Sequence, residues 1–157
     1  MSPKVLIRRC ETIEDFEIAK SITNDYILWL GMDLGFQNTA KEFDIFSRMY
    51  GEDQGVYLLA SIEGEIAGGV AIRRLNADIC EMKRLYVYEH FRRLGVAYKL
   101  CLELISLSKS LSYRKMRLDT ISRLEEANTF YDKMGFRDIP KYYDNPDPTV
   151  RYMEIEF

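Results

Sequence analysis

The chain of 157 residues is long enough to fold around one hydrophobic core and short for two domains. Apolar residues make up 47 % of the sequence and charged residues 30 %, which is typical of a globular protein and excludes a disordered one. With 22 Lys and Arg against 25 Asp and Glu, the net charge of −3 argues against a general nucleic-acid-binding protein. No run of about 18 apolar residues is present, so no membrane-spanning helix is expected.

The N-terminus and the cysteines both favour a cytoplasmic protein. Residues 1–9 lack the apolar stretch of a signal peptide. Cys10, Cys80 and Cys101 are far apart and follow no zinc-ligand or disulfide spacing, which is typical of reduced thiols in a cytosol. We therefore expect no metal, no nucleic acid and no membrane among the partners.

Helix starts are predicted from capping residues. From Thr12 onward, apolar residues recur at three- and four-residue spacing, as in an amphipathic helix. Thr39 with Glu42, and Ser122 with Glu125, have the spacing of a capping box and predict two further helix starts. A fourth helix follows the basic loop at residues 92–97.

Strands are predicted from β-type runs. Glu63 and Gly64 fit a two-residue hairpin turn between two of them. The resulting order is β-α-α-β-β-β-α-β-α-β-β, which predicts one α/β domain with a mixed sheet and helices on its faces. The predicted strands are 4–10, 56–62, 65–75, 79–88, 116–121, 136–139 and 151–157.

The segment from Glu81 to Leu100 has the strongest chemical signal in the sequence. A strand leads into a short basic loop containing Gly95 and Ala97, and a helix follows. The first turn of a helix has unpaired backbone N–H groups and a partial positive charge, so it binds phosphate readily. Arg92 and Arg93 add charge, and a diphosphate is the expected ligand. Spacing alone fits a solvated basic turn equally well.

Three motifs in register resemble the GNAT superfamily of acetyl-CoA-dependent N-acetyltransferases. Arg92-Arg93-Leu94-Gly95-Val96-Ala97 matches the family's Arg/Gln-x-x-Gly-x-Gly/Ala motif, with Ala97 for the commoner Gly and with Arg93 where many members have Gly. Residues 81–87 resemble the preceding family strand, and residues 128–136 resemble the Asn-x-x-x-Tyr-x-x-x-Gly-Phe signature. The resemblance implies one GNAT domain over residues 5–157, with about seven strands and about four helices.

The resemblance also implies where acetyl-CoA, the one cofactor expected, would bind. A bulge would separate strand 79–88 from strand 116–121, and the pantetheine arm would pair with backbone groups in the gap. The backbone N–H near Val87 would polarise the thioester carbonyl. The implied cofactor-binding residues are Leu85, Tyr86, Val87, Arg92, Arg93, Leu94, Gly95, Val96, Ala97, Tyr98 and Asn128.

Two residues are expected to move protons. Tyr131 matches the family position that protonates the leaving thiolate, and a phenol with a pKa of about 10 is protonated at neutral pH. Periodicity alone favours a different interpretation, in which Tyr131 is a core residue on the apolar face of a helix, and the match to the motif reverses that preference. Glu81 is a carboxylate in a buried strand, and it is either a general base or half of an ion pair with Lys83 or an arginine.

Strand alternation predicts the faces of strand 79–88. It assigns Glu81, Lys83, Leu85 and Val87 to one face, and Met82, Arg84 and Tyr86 to the other. Asp119 and Thr120 end a neighbouring strand, where they would contact the acceptor or pair with the backbone.

The sequence does not identify the acceptor, and we expect a small amine that also bears a carboxylate. Residues 28–37 and 140–148 are rich in aromatic side chains, and Lys83, Arg84 and Arg73 would hold the carboxylate. Alternatively, these cations serve cofactor phosphates or surface ion pairs. The expected substrate-binding residues are Trp29, Phe36, Arg84, Tyr142 and Tyr143.

The expected reaction is direct acetyl transfer within a ternary complex. A protein or peptide amine acetyltransferase is the alternative within the same chemistry. A non-catalytic CoA-binding regulator would lack the proton-transfer groups, whereas Tyr131 and Glu81 are both present. A protein-interaction module would have no affinity for the cofactor. The sequence leaves a homodimer open.

Overall fold

The fold is organised around one mixed β-sheet with helices on both faces. The structure, a computed structural model, describes residues 3–32 and 34–157, without the side chain of Phe36. Within these residues the strands are β1 (Val5–Arg9), β2 (Val56–Ile62), β3 (Glu65–Arg74), β4 (Ile79–Val87), β5 (Lys115–Thr120), β6 (Arg137–Ile139) and β7 (Arg151–Glu156). The helices are α1 (Ile13–Leu30), α2 (Thr39–Asp44), α3 (Phe46–Met49), α4 (Val96–Ser110) and α5 (Glu125–Met134).

Hydrogen bonding places the strands in the order β1-β2-β3-β4-β5-β7-β6. In the described part of the chain, β4 and β5 form the parallel pair, because α4 crosses between them, and the other neighbours are antiparallel. The predicted α/β class and the seven predicted strands are confirmed. The predicted second helix is two short helices, since Ile45 (φ −116°, ψ 23°) interrupts it.

A capping box explains the start of one helix, whereas the capping boxes predicted for two other helices are not formed. Thr12 and Asp15 form a reciprocal capping box at the start of α1. The box predicted at Thr39 is wrong, because the Glu42 carboxylate is bound elsewhere and the Ncap residue of α2 makes no side-chain bond. The box predicted at Ser122 is also wrong, because α5 begins three residues later, at Glu125.

Two apolar cores lie on opposite faces of the sheet. Helices α4 and α5 cover the larger core, which contains Leu100, Leu104 and Tyr131. Helices α1 and α3 cover the other, which contains Phe16 and Phe46. Burial of each large side chain stabilises the fold by roughly 1.5–3 kcal/mol, so the apolar side chains on both faces of the sheet strongly favour this packing of the helices. No helix in the described residues is long and apolar enough to cross a membrane.

A β-bulge interrupts β4. In the register with β3, Arg84 and Leu85 together oppose Val70, and Arg84 adopts the left-handed conformation at φ 63°. Gly68 is needed on the opposite strand, because a Cβ there would lie 2.3 Å from the Tyr86 carbonyl oxygen. The bulge is therefore a specific feature of this strand pair.

The bulge reverses the alternation of side chains along β4. Met82 before the bulge and Leu85 and Val87 after it all pack on the α4 side, whereas Tyr86 packs on the α1 side. The prediction that Glu81, Lys83, Leu85 and Val87 share one face is therefore wrong. One extra residue moves every later side chain to the other face.

A buried ion pair holds the bulge residue. Arg84 donates from Nη2 to Glu42 Oε1 at 2.6 Å and from Nε to Glu42 Oε2 at 3.2 Å, and both side chains are 3 % exposed. The Tyr50 hydroxyl donates to Glu42 Oε2 at 2.6 Å. Through the first two bonds, the short helix α2 is fixed against the strained residue of β4.

We predict that Glu42→Gln destabilises the protein by about 3 kcal/mol, because it leaves the Arg84 charge buried without its counter-ion. The measurement is the free energy of unfolding in urea. Asp144→Asn is the matched control, because it removes an ion pair between exposed side chains, and its urea midpoint should equal that of the wild type. Equal midpoints for both variants would show that the buried pair does not stabilise the fold.

Candidate active site

Strands β4 and β5 separate halfway along their length. Their parallel pairing covers Ile79–Glu81 and Lys115–Arg117, whereas β4 continues to Val87 and β5 to Thr120. Bulges bend and twist a strand, so the bulge at Arg84 accounts for the divergence. Beyond the paired residues, the two facing edges make no ladder bonds across the gap within the described chain. This is the separation that the sequence resemblance implied.

A cleft opens at the divergence and reaches both faces of the sheet. It holds about 630 Å³ of space, including its open mouth. Tyr131 lies in its wall on the α5 side, and Lys83 and Asp119 lie in its wall on the opposite side. The lining residues are Tyr26, Leu30, Met32, Leu34, Gln37, Met82, Lys83, Arg84, Leu85, Leu118, Asp119, Thr120, Ile121, Leu124, Tyr131 and Asn145.

The basic loop after β4 leaves the start of α4 open. Gly95 is the Ncap residue at φ 80°, and a Cβ built on it would have no atom within 4 Å. Backbone N–H groups of the first helical turn are therefore accessible to an anion. Arg93 is exposed at φ 66°, and Tyr98 is half exposed in the first turn. The predicted phosphate loop has the backbone geometry that such a ligand needs.

Arg92 lies across the end of β4. Its Nε donates to the Val87 carbonyl at 2.9 Å. Its guanidinium carbon lies 5.2 Å from the ring centre of Trp29 and 5.7 Å from that of Tyr86. The side chain therefore braces the loop against α1, and Trp29, expected to bind the acceptor, instead belongs to this aromatic stack outside the cleft wall.

Tyr131 is 9 % exposed and packs against Phe130 and Phe136 in the larger core. Burial raises the pKa of its phenol well above the ordinary value, with smaller contributions from nearby acidic groups. The phenol is therefore protonated at neutral pH. A protonated hydroxyl in the wall of the cleft can donate a proton to a strongly basic group there.

Two buried polar atoms near the α5 side have no hydrogen-bond partner in the described residues. They are Thr120 Oγ1, in the cleft wall, and Asn128 Oδ1. The Asn128 amide nitrogen donates to the Ile121 carbonyl at 2.9 Å, which fixes the side chain and leaves the oxygen as an acceptor. Buried polar atoms are normally satisfied, so this pair is suited to a polar ligand.

Glu81 is held by two cations and a phenol. Arg73 Nε lies 2.7 Å from Oε1, Lys83 Nζ lies 3.7 Å from Oε1, and the Tyr142 hydroxyl donates to Oε2 at 2.6 Å. Burial alone would raise the pKa of Glu81, but the charges of Lys83 and Arg73 outweigh it and hold the pKa below the ordinary value. The residue is 1 % exposed and lies outside the cleft lining.

Asp119 has a different environment on the same side. The Tyr143 hydroxyl donates to its Oδ2 at 2.7 Å, and Asn145 Nδ2 lies 3.3 Å from the same oxygen. Burial raises the pKa of this carboxyl above the ordinary value, against the hydrogen bond from Tyr143, and the charge of Glu81 raises it further. Unlike Glu81, Asp119 lines the cleft.

Comparison with known proteins agrees with this geometry. The model of the acetyltransferase (GNAT) family matches residues 21–136. An N-acetyltransferase of Schizosaccharomyces pombe is 39 % identical over 145 residues, which are 91 % of this chain and 89 % of that protein. This chain belongs to the GNAT family.

Two further comparisons extend the likeness. The crystal structure of an acetyltransferase from Streptococcus agalactiae matches with a TM-score of 0.79 at 19 % identity, over 98 % of both chains. The N-acetylaspartate synthetase of Danio rerio is 27 % identical over 101 residues, which are 64 % of this chain and 36 % of that protein. The family and its named N-acetyltransferases make this GNAT chain an acetyl-CoA-dependent acyltransferase.

Of the remaining residues that we expected to bind the acceptor in this GNAT chain, one lines the cleft and two lie behind its wall. Arg84 lines the cleft, but Glu42 neutralises its charge. Tyr142 and Tyr143 lie behind the wall and donate to Glu81 and Asp119. The side chain of Phe36 lies outside the described residues.

Sequence reasoning missed several functional neighbours. Glu42 was predicted to cap a helix, yet Glu42, Phe46 and Tyr50 recur at four-residue spacing, which indicates that the carboxylate shares the buried face. Asn145 and Gln37, which line the cleft, have no distinguishing signal in the sequence. Over residues 3–32 and 34–157, no three His, Cys, Asp or Glu side chains are grouped to hold a metal ion.

Proposed function

We propose that this GNAT domain, over residues 5–157, transfers the acetyl group of acetyl-CoA directly to the amine of a small molecule that also carries a carboxylate. The observation that carries the proposal is the cleft between β4 and β5. The cleft has a protonated phenol in one wall and charged groups in the opposite wall, and the strand β4 that borders it leads into the loop before the open N-terminus of α4. Both reactants can therefore meet in the plane of the sheet.

The residues around the cleft fit acetyl-CoA. The first turn of α4, from Gly95, offers backbone N–H groups and a helix dipole to the diphosphate. The edge of β4 from Leu85 to Val87 offers main-chain groups to the pantetheine amides, as an added strand would. Asn128 Oδ1 and Thr120 Oγ1 supply two further unsatisfied partners. Acetyl-CoA supplies an acetyl group activated as a thioester.

The proton donor is Tyr131. Its phenol is kept protonated by burial and lies in the wall on the α5 side, where the leaving sulfur would emerge. Main-chain N–H groups at the end of β4 would polarise the carbonyl that is attacked. Of the two roles open to Glu81, its close contacts with Arg73 and Tyr142 and its longer contact with Lys83 support the ion pair.

The cysteines support direct transfer. Cys10, Cys80 and Cys101 are all buried, and none of them lines the cleft. Burial raises the pKa of these thiols to about 12, about 11 and about 12. A thiol is nucleophilic as the thiolate, so none of the three suits an acyl-enzyme mechanism.

Lys83 supports an acceptor with a carboxylate. Arg73 and Arg84 form close ion pairs with Glu81 and Glu42. Lys83 Nζ lies 3.7 Å from Glu81 and 3.5 Å from Gln37, so its partners are distant, and it lines the cleft. A carboxylate of the acceptor would give the Lys83 ammonium group a close partner of opposite charge. One relative is named for making N-acetylaspartate, an acetylated amino acid.

A hydrogen bond beside the cleft bears on the size of the acceptor. Arg123, in the turn before α5, donates from Nη2 to the Leu30 carbonyl at the end of α1. This bond joins two segments that border the cleft, since Leu30 and Leu124 both line it. A bond between two segments beside the cleft leaves less room for an extended peptide, which favours a small molecule.

Gly95→Glu should abolish the rise in melting temperature that acetyl-CoA gives the wild type. The new side chain would put negative charge at the diphosphate site, and a ligand stabilises the folded state only if it binds. Gly64→Glu, in the turn between β2 and β3, is the control, because Gly64 (φ 81°) and Gly95 (φ 80°) share their backbone strain and open surroundings. A folded Gly95→Glu protein with the full thermal shift would contradict the phosphate site.

Tyr131→Phe should lower kcat by roughly 100- to 10,000-fold, the range typical of a lost general acid. The thermal shift with acetyl-CoA should be nearly unchanged, because the ring still packs in the core. Tyr113→Phe is the control: it removes a buried phenol that bonds the Gln54 carbonyl, in the same core but outside the cleft wall. Wild-type turnover in the Tyr131→Phe protein would remove Tyr131 from the mechanism.

An acceptor screen that measures release of free thiol tests the proposed function. Amino acids should be acetylated faster than spermidine or a lysine-containing peptide. Lys83→Met should raise KM for the best amino acid by about 10- to 100-fold, since a hydrogen bond to a charged group is lost. KM for the matching amine without the carboxylate should not change. Spermidine or the peptide as the best acceptor would contradict the acceptor class and leave acetyl transfer intact.

A further inference from the structure

Acetyl transfer to an amine needs a proton acceptor, because an ammonium group has no lone pair for attack. Two carboxylates face the same side of the sheet near the cleft, Glu81 and Asp119. Within the proposed function, on which this inference rests, we propose that Asp119 is the general base that takes the proton from the acceptor amine. Glu81 is instead a positioning residue for Lys83 and Tyr142.

The position of Asp119 carries the proposal. It lies one residue before the end of β5, beyond the last residue that pairs with β4, and it is one of the residues that line the cleft. Side chains alternate along a strand, so Leu118 and Thr120 face the α5 side and Asp119 faces the opposite side. Asp119 and Tyr131 therefore border the same cleft from opposite faces of the sheet.

The hydrogen bonds of Asp119 leave one oxygen available. Both donors, the Tyr143 hydroxyl and Asn145 Nδ2, bind Oδ2. Oδ1 has no hydrogen-bond donor among the described residues. The loop before β7 thus fixes the orientation of the carboxylate through one oxygen, and the other remains to bind and deprotonate an amine.

Glu81 lacks these properties. Both of its oxygens are occupied, by Arg73 on one side and by Tyr142 on the other, and it does not line the cleft. An amine would have to displace an ion pair to reach it. Against the effect of burial, the charges of Lys83 and Arg73 hold the pKa of Glu81 below its ordinary value, whereas burial raises the pKa of Asp119 above its own.

The charges around Asp119 set its basicity. Burial and the repulsion from Glu81 favour the protonated form, whereas Tyr143, Lys83 and Arg84 favour the carboxylate. The net shift is toward neutral pH, where a general base is most effective. The other titratable groups that interact with it are Tyr26 of α1, Tyr131 of α5, Tyr142 of the loop and Tyr152 of β7.

The protons balance in this assignment. Asp119 Oδ1 takes the first proton of the ammonium group and later releases it to solvent. As the nitrogen–carbon bond forms and the carbon–sulfur bond breaks, Tyr131 Oη gives its proton to sulfur. The nitrogen sheds a second proton, which restores the Tyr131 phenol through solvent. The overall reaction releases one proton, and no oxidant or reductant is needed.

The test compares kcat/KM for Asp119→Asn and the wild type across pH, using the amino acid that the wild type acetylates fastest. Near pH 7 the variant should be roughly 100- to 10,000-fold slower. The deficit should shrink as pH approaches the pKa of the amine, because solvent then deprotonates the acceptor. Acetyl-CoA should still raise the melting temperature of the variant. Glu81→Gln is the comparison, and its deficit should not depend on pH in this way.

A second variant keeps the test decisive if Asp119→Asn does not fold. Tyr143→Phe removes a hydrogen bond that favours the carboxylate, so the pKa of Asp119 should rise. The acidic limb of the pH profile should then move to higher pH. Wild-type activity at pH 7 in Asp119→Asn, or an unmoved limb in Tyr143→Phe, would overturn the role of Asp119. A wild type that acetylates no amine would instead overturn the proposed function.

Discussion

The ion pair between Glu42 and Arg84 is the contact on which the site depends. Arg84 occupies a backbone conformation that most residues avoid, and such strain persists only where surrounding contacts enforce it. Two hydrogen bonds to a buried carboxylate provide that restraint. With Arg84 fixed, β4 bends away from β5, and the cleft exists because the two strands can no longer pair. A helix of six residues therefore controls the shape of the sheet at its centre.

Because of the same bulge, apolar and charged side chains of β4 lie on different faces of the sheet. Before it, Glu81 and Lys83 point away from α4, and after it Leu85 and Val87 point toward α4. The phenol of Tyr131 lies among the apolar residues of the larger core, where the neutral form is stable. The charged groups lie opposite, close enough to pair with one another. The proposed proton donor and the proposed proton acceptor can therefore border one cleft without neutralising each other.

The loop before β7 organises the polar side of the cleft. Tyr142 and Tyr143 bind Glu81 and Asp119, and their rings pack on Tyr152 of β7. The two tyrosines act on neighbouring carboxylates with different results. Glu81 is occupied at both oxygens by cations and a phenol, whereas Oδ1 of Asp119 receives no hydrogen bond from the part of the chain that the structure describes. The difference arises from the neighbours supplied by β3 and β4, since Arg73 and Lys83 reach Glu81.

The sequence alone determined the seven strands, the helix that follows Thr12 and the open helix start at Gly95, because periodicity and turn chemistry are local properties. Motif order was sufficient to identify the family. The tertiary structure decided the rest. Glu42 and Arg84 are 42 residues apart, and no local pattern pairs them. The bulge they support reverses the alternation of side chains along β4. Neighbours that are distant in the sequence then determine which of the two carboxylates, Glu81 or Asp119, has an oxygen without a hydrogen-bond donor among the described residues.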